Sequence, residues 1–286
     1  MDDSTELTPL EKYLVSLSSP HTKRAYTRAL KDFAEYLAVR QIPLTEIKPG
    51  DINHYRDELI AKMSPATVNQ RLSALRQNLD DLVRSGVLTS NPAKSISGVR
   101  EPNSTETPEI TPLELCHLFS VIDLRTQRGR RDRLMFDIML ETYCRVGALL
   151  QIKAGDIVTI KNQVFVKLRE KNQKLLLRPI SKALSLRLSC YVLENEITDK
   201  TLNIFRSLKR QSANLSDRTL SQSDLHRIVR GYVKRSQINL RISPHSFRVS
   251  GITQFLRKGG RIQEAQKGAG HVSVRTTERY DRRLVY

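Results

Sequence analysis

The residues whose side chains are best suited to catalysis lie near the end of the chain. His245 and Arg248 are three positions apart, so a helix would present both on one face. His271 follows 23 residues after that arginine, and Tyr280 follows nine residues later. Guanidinium groups clamp phosphate oxygens through paired hydrogen bonds, imidazoles move protons, and an activated hydroxyl is a nucleophile. These residue types together predict cleavage of a phosphodiester without a metal ion.

Motifs for other kinds of phosphate or hydrolytic chemistry are absent from the sequence. It has no glycine-rich phosphate loop followed by Lys-Ser/Thr, no His-Glu-x-x-His, no paired cysteines with ligand spacing and no Gly-x-Ser-x-Gly. Positioning and electrostatic stabilisation supply most of the acceleration in phosphoryl transfer. We therefore predict no metal site and no cofactor.

The combined spacing resembles the signature of the tyrosine recombinases, the phage-type integrase family. The matching segments are His245-x-x-Arg248, Gly270-His271 and Thr276-Thr277-x-x-Tyr280. The family also carries an arginine between a helix and a small sheet, and Arg145 in ETYCRVGALL matches it. A hairpin lysine is expected as well, and in REKNQKLLLRP it corresponds to Lys171 rather than to Lys174.

The resemblance implies how the bond would be broken. Tyr280 would attack the phosphate and form a 3′-phosphotyrosyl bond, which stores the bond energy without ATP. Because phenols are protonated at neutral pH, this nucleophile needs help to lose its proton. Lys171 would act as the general acid for the departing 5′ oxygen.

The same resemblance assigns the four remaining residues to the phosphate. Arg145 and Arg248 would hold it, while His245 and His271 would stabilise the transition state and assist proton transfer. Arg145 could instead pair with Glu141, four residues earlier on the same helix.

Three departures from the family pattern stand out. Ala148 lies where the family commonly has a glutamate that supports the first arginine, so this carboxylate must come from elsewhere or be absent. Glu170 and Asn172 replace the glycines that flank the hairpin lysine. Only DRRLVY follows Tyr280, an ending more typical of mobile-element integrases than of the Xer pair, and it leaves cleavage in cis or in trans open.

The elements that must position these residues are mainly helical. In residues 1–97, Tyr26, Leu30, Phe33 and Leu37 repeat at helical spacing, and so do Val68, Leu72, Leu75, Leu79 and Leu82. Ser64-Pro65 predicts a helix start, and Gly86 predicts the end of that helix. We expect a bundle of four or five helices that forms a DNA-binding domain.

The polar faces of two of these helices predict contacts with DNA, because Arg, Asn and Gln read base edges and Lys and Arg bind phosphates. The residues concerned are Lys23, Arg24, Arg28, Asn69, Arg71 and Arg76. Any one of them could equally belong to a solvated face, so the prediction concerns the group.

Residues 98–110 lack hydrophobic periodicity and are rich in Ser, Thr and Pro, which is typical of a linker. Residues 111–286 then form the predicted catalytic domain, which begins with a capping box from Thr111 to Glu114. Alternating residues in IVTIKNQVFVKLREKNQKLLLRPI predict a three-stranded antiparallel sheet, after which helices are expected to dominate to the end. The fold class is mainly α: a helical bundle plus a mostly helical domain with this small sheet.

Charge points to the partner. The net charge is +18, and it is unevenly placed: residues 1–97 contain 13 Lys and Arg against 12 Asp and Glu, whereas the rest contains 35 against 18. Such an excess favours a polyanion, and together with the motif it predicts double-stranded DNA.

Cys116, Cys144 and Cys190 suit neither a disulfide framework nor a zinc site, and we expect all three to be buried. The sequence also has no apolar run long enough to span a membrane. Together with the cysteine content, this predicts a cytoplasmic protein.

The resemblance further implies a tetramer on DNA, built from a chain that can be a monomer in solution, with accessory DNA-bending proteins as candidate partners. Two alternatives share these residues or this fold. One is a type IB topoisomerase-like enzyme, and the other is a DNA-binding architectural factor or repressor that no longer cleaves.

Overall fold

The computed structural model describes residues 9–17, 20–100, 107–170, 174–209 and 214–281. The chain divides into two compact units, Met1–Thr105 and Glu106–Tyr286. Each unit has its own hydrophobic core. The mainly helical class predicted from the sequence is confirmed. The division falls within the predicted linker of residues 98–110, whose limits remain a prediction.

The first unit is helical in its described part. Its helices are α1 Pro9–Ser16, α2 Pro20–Val39, α3 Pro49–Lys62 and α4 Pro65–Arg84. The start of α4 is as predicted, because Ser64 Oγ accepts a hydrogen bond from the Thr67 amide. Gly86, with φ of 76°, follows the end of α4 in the left-handed region that favours glycine. Both predicted apolar stripes are buried.

The second unit begins with α5 Pro112–Ser120, α6 Gln127–Thr142 and α7 Val146–Leu150. The strands β1 Ile157–Ile160, β2 Gln163–Arg169 and β3 Leu175–Pro179 follow and form an antiparallel sheet in the order β1-β2-β3, as predicted. The predicted capping box between Thr111 and Glu114 is also present.

The rest of the unit contains α8 Lys182–Glu194, β4 Arg206–Leu208, β5 Leu215–Thr219, α9 Gln222–Ser236, α10 Pro244–Arg257, α11 Ile262–Ala269 and α12 Val274–Glu278. Helices dominate this part as predicted, but the expectation of one small sheet was wrong, because β4 and β5 form a second antiparallel pair. These two strands are short and polar, so they lack the alternation by which a strand is predicted.

The close packing of α6 against α10 sets the position of the candidate site. Phe136 of α6 stacks on Phe247 of α10, with ring centroids 4.5 Å apart. A Cβ atom on Gly251 of α10 would lie 2.2 Å from the Leu140 carbonyl oxygen of α6, so only glycine permits this approach. The two helices therefore hold the chain after α6 close to the first turn of α10.

The cysteines differ from the expectation. Cys144 is buried, but Cys116 and Cys190 are exposed. Their helices, α5 and α8, turn leucines such as Leu118 and Leu188 to the core and place these cysteines on the outer side. Among the described residues, no helix is long and apolar enough to cross a membrane.

Candidate active site

Five of the six predicted catalytic residues are delivered to the site by turns and helix ends. Tyr143 ends α6 with φ of 56°, and one residue separates this left-handed position from Arg145, the N-cap of α7. His245 and Arg248 lie in the first turn of α10. The remaining two, His271 and Tyr280, follow α11 and α12. Lys171 lies outside the described residues.

Arg248 is the most deeply buried of these residues, with 1% of its surface exposed. Its Nη1 donates to the Tyr143 carbonyl, and its Nη2 donates to the Ala269 carbonyl at 2.7 Å. Its Nε is buried and has no hydrogen-bond partner among the described residues. Desolvation, and then the positive charge of Arg145, lowers the pKa of Arg248 below its ordinary value. The guanidinium is thus held rigidly but is not neutralised by a carboxylate.

His271 has a defined protonation state, because its neighbours allow only one. Its Nε2 lies 2.8 Å from Nη2 of Arg248, and an arginine can only donate. The imidazole must therefore accept at Nε2 and donate from Nδ1 to Thr277 Oγ1, which is 2.9 Å away. Desolvation, and then the charges of Arg248 and Arg145, lowers the pKa of His271 to about 4. The neutral ring acts here as a support for Arg248.

Tyr280 packs against both histidines. Its hydroxyl lies 3.3 Å from His245 Nε2, and its ring stacks on that of His271 with centroids 5.5 Å apart. The backbone carbonyl of Tyr280 accepts a hydrogen bond from Thr253 Oγ1 of α10 at 3.0 Å. Desolvation, followed by the charges of Arg248 and Arg145, lowers the pKa of His245. A neutral imidazole therefore faces the phenol.

Arg145 has a carboxylate partner that the sequence analysis did not foresee. Its Nη1 pairs with Oε2 of Glu170, at the end of β2. The alternative partner, Glu141, is engaged elsewhere, because its two oxygens accept from the backbone amide and the hydroxyl of Ser181 at 2.8 Å. Ala148 is buried and offers no carboxylate. The support for Arg145 comes from the sheet instead of from α7.

The predicted general acid, Lys171, directly follows Glu170 in the sequence but is not among the described residues. The Glu170 amide donates to the Lys174 carbonyl at 2.8 Å, so the two residues on either side of positions 171–173 are hydrogen-bonded to each other. Lys174, the other candidate, is exposed. The residue that pairs with Arg145 is therefore the sequence neighbour of Lys171.

In the first unit, three of the predicted DNA-binding residues, Asn69, Arg71 and Arg76, bond to other parts of the unit. Arg71 is 9% exposed and pairs with Asp32 of α2. Asn69 exchanges two hydrogen bonds of 2.8 Å with the Val99 backbone, and Arg76 donates to the Ala93 and Ile96 carbonyls. These three side chains make contacts within the unit, and their part in DNA binding stays a prediction.

The other three residues of that prediction lie on one side of α2. Lys23, Arg24 and Arg28 are exposed, and they line an open groove together with Lys31. This basic side of α2 is the part of the predicted DNA-binding group that we carry forward.

Comparison with known proteins identifies the family. Residues 110–285 match the phage integrase family, and residues 10–86 match the phage integrase N-terminal SAM-like domain. The chain belongs to the phage integrase family. The family predicted from the sequence, and with it the enzyme class of the tyrosine recombinases, is confirmed.

Relatives and solved structures match this integrase-family chain over nearly its whole length. The tyrosine recombinase XerC of Myxococcus xanthus is 28% identical over 286 residues, covering 96% of this chain and 93% of the relative. The tyrosine recombinase XerD of Staphylococcus haemolyticus is 25% identical and covers the same shares.

Two solved structures share the fold. The XerH site-specific recombinase bound to a palindromic difH substrate has a TM-score of 0.72 at 19% identity, covering 90% of this chain and 75% of that one. A lambda integrase dimer bound to a COC′ core site has a TM-score of 0.74 at 17% identity, covering 97% and 96%.

Two residues of the integrase site were not assigned from the sequence. Glu170 had a usable signal, because it replaces a glycine of the family pattern while Ala148 replaces the expected glutamate. Thr277 belongs to the Thr-Thr-x-x-Tyr segment, and its buried hydroxyl accepts the Nδ1 proton of the His271 tautomer that Arg248 sets. Neither contact follows from helix or strand periodicity.

Proposed function

We propose that this chain is a site-specific recombinase that cuts and rejoins double-stranded DNA through a 3′-phosphotyrosyl intermediate on Tyr280. The observation that supports it most directly is the meeting of Tyr280 with His245, His271 and Arg248 from three separate helix ends. A structural tyrosine would not need two arginines and two histidines around it.

The scissile phosphate would be bound by Arg145 and Arg248. Arg145 uses one of its five N–H donors for Glu170, and its side chain is 43% exposed, so the other donors remain available. Arg248 has a buried Nε donor without a partner in the described part of the chain. Two guanidiniums can share the charge that develops on the non-bridging oxygens in the transition state.

The cleavage step involves two proton transfers, one at the attacking oxygen and one at the leaving oxygen. The oxygen of Tyr280 forms a bond to phosphorus, while its proton passes to Nε2 of neutral His245. The bond from phosphorus to the 5′ oxygen breaks, and Lys171 gives that oxygen a proton. The phosphate brings negative charge beside His245, which opposes the two arginines and makes the imidazole a better base.

Rejoining reverses these movements with another strand. A 5′ hydroxyl attacks the phosphotyrosine, loses its proton to Lys171 and releases Tyr280, which recovers its own. The number of phosphodiester bonds is conserved, so neither ATP nor a cofactor is required. His271 takes part as the neutral support that holds Arg248 in place.

The assembly and its surroundings belong to the same proposal. The basic side of α2 would contact the DNA backbone, and the exchange would take place in a homotetramer assembled on DNA from chains that can be monomers in solution. Accessory DNA-bending proteins would assist where the site needs to be bent. The expected compartment is the cytoplasm.

A nicked suicide duplex that carries the recombination site tests the function. Wild type is expected to form a covalent protein–DNA adduct in the presence of EDTA, and Tyr280→Phe is expected to bind the duplex without forming it. Tyr191→Phe is the matched control, because it removes a hydroxyl of the same unit that donates only to the Ile204 carbonyl. An adduct that persists in Tyr280→Phe, or its absence in wild type, contradicts the proposal.

The adduct assay separates the first alternative from the proposal, and a plasmid relaxation assay separates the second. A non-cleaving architectural factor or repressor would bind the duplex and give no adduct in any variant. A type IB topoisomerase-like enzyme would relax supercoiled plasmids that lack the site, whereas the recombinase is expected to act only on plasmids that contain it.

A further inference from the structure

The candidate site lacks a carboxylate on the helix where the family pattern places one. Position 148 of α7 is an alanine that is 3% exposed and packed in the core of the second unit. A methyl group there cannot accept a hydrogen bond from Arg145, three residues earlier. The guanidinium would therefore be free to rotate unless another element held it.

Glu170 supplies a carboxylate from the opposite direction. Its side chain is only 4% exposed, and its Oε2 accepts from Nη1 of Arg145. Its Oε1 lies 3.4 Å from the Arg145 backbone nitrogen. One carboxylate thus contacts both the guanidinium and the main chain of the same residue, which limits the rotation of the side chain between them. A carboxylate is costly to bury unless it is paired, so this contact holds Glu170 as well.

Glu170 also relieves the repulsion among the cations of the site. The pKa of Arg248 is lowered by desolvation and then by Arg145, and Glu170 is the first group that acts in the opposite direction. Before DNA binds, Arg145 and Arg248 would otherwise face each other without a compensating charge. The carboxylate therefore keeps Arg145 near Arg248 in the absence of the phosphate.

We infer that Glu170 is a positioning residue for the reaction: it replaces the missing carboxylate of position 148 and holds the guanidinium of Arg145. The inference rests on the proposed function. It explains why a glutamate occupies a position at which the family has glycine, because the acidic side chain that follows β2 reaches Arg145 from the sheet. The two departures from the pattern compensate each other.

Single-turnover cleavage of the suicide duplex at saturating protein tests this role. Glu170→Gln keeps the size of the side chain and removes its charge. We expect it to slow adduct formation by roughly ten- to a hundredfold, the effect of removing an outer partner of a functional group, with little change in the Kd for DNA. Glu141→Gln is the matched control, because Glu141 lies on α6, four residues before Arg145, and accepts hydrogen bonds from Ser181 instead. It is expected to cleave at the wild-type rate.

A double-mutant cycle with Arg145→Lys separates positioning from a general structural effect. If Glu170 acts through the guanidinium, Glu170→Gln should have little further effect on the rate in the Arg145→Lys background. A purely structural contribution would lower the rate by the same factor in both backgrounds. Should Glu170→Gln fail to fold, Glu170→Asp provides the same cycle, since it keeps the charge and shortens the reach.

Each outcome has one meaning. A wild-type rate in Glu170→Gln overturns the inference, and so does an equal loss in both backgrounds. Faster cleavage in Glu170→Gln would show that the glutamate competes with the phosphate for Arg145, and would also overturn it. If wild type itself forms no adduct on Tyr280, the proposed function fails and this role fails with it. Only the Glu170 variants can overturn the role alone.

Discussion

Both units of the protein bury arginines, and two of these, Arg71 and Arg248, are held in different ways. Arg71 of the first unit is 9% exposed and pairs with the carboxylate of Asp32. Arg248 of the second unit is 1% exposed and is held by two backbone carbonyls and the neutral ring of His271.

The difference lies in the charge of the partners. A carboxylate neutralises a guanidinium, so Arg71 is committed to the fold. Carbonyl and imidazole acceptors orient a guanidinium and leave its charge uncompensated, so Arg248 can still attract an anion. Burial of an arginine alone does not distinguish a structural role from a functional one, but the nature of its acceptors does.

The largest effect is expected from Arg248. Arg248→Ala should slow adduct formation by about 10²–10³-fold, because it removes a preorganised donor to the transition state. Arg248→Lys should recover only part of the rate, since an ammonium cannot make paired hydrogen bonds. Single-turnover assays at saturating protein measure this, and wild-type rates in Arg248→Ala would remove the basis of the comparison.

Arg71 should instead affect stability. Arg71→Met should lower the free energy of unfolding by about 1–3 kcal/mol, because Asp32 loses its partner beside a half-buried helix contact. Urea denaturation measures this change, and cleavage by the folded variant should match wild type. Arg84→Met is the control, because this exposed arginine pairs only with Asp81 three residues earlier. A cleavage defect in a folded Arg71→Met chain would contradict the structural role.

The basic side of α2 should act through the salt dependence of DNA binding. Lys23→Ala and Arg28→Ala should each reduce the slope of log K against log salt concentration by about one, the effect of losing one phosphate contact. Binding titrations at several salt concentrations measure the slope. Lys62→Ala of α3 changes the charge equally and should leave the slope as in wild type. Equal slopes in all three variants would exclude α2 from the interface.

The smallest effect concerns the support of Arg248. The pKa of His271 is lowered from 6.5 to about 4 in the folded chain, mainly by desolvation. Between these values the unfolded chain binds more protons than the folded one, so stability falls as the pH is lowered from about 6.5 to 4. In His271→Gln this part of the decline should be absent. Urea denaturation at several pH values in this range measures the free energy of unfolding, with the exposed His226→Gln as control. If His271→Gln keeps the wild-type dependence of this free energy on pH, as the control is expected to do, the prediction is contradicted.

Much of this molecule was predictable because its cues are local. The capping residues Ser64 and Thr111 start their helices as expected, since a cap depends on the next three residues. The strands β1 to β3 lie in the segment whose alternating apolar and polar residues predicted them. The second pair, β4 and β5, was missed because short polar strands carry no such pattern.

The candidate site was also largely predictable, though for another reason. The spacing of His245, Arg248, His271 and Tyr280 carries a specific signal because it resembles the signature of the tyrosine recombinases. The proposed roles of these residues await the cleavage assays. The sequence could not show which acceptors hold each donor.

The sequence by itself therefore determined the family and the helical class, and it pointed to Arg145, His245, Arg248, His271 and Tyr280 as candidate site residues. Only the tertiary structure decided that Arg71, Asn69 and Arg76 are engaged within the first unit and that Glu170 supports Arg145. The physical reason is that periodicity specifies the face on which a side chain lies. Its partner comes from another element, and only packing determines how close that element approaches.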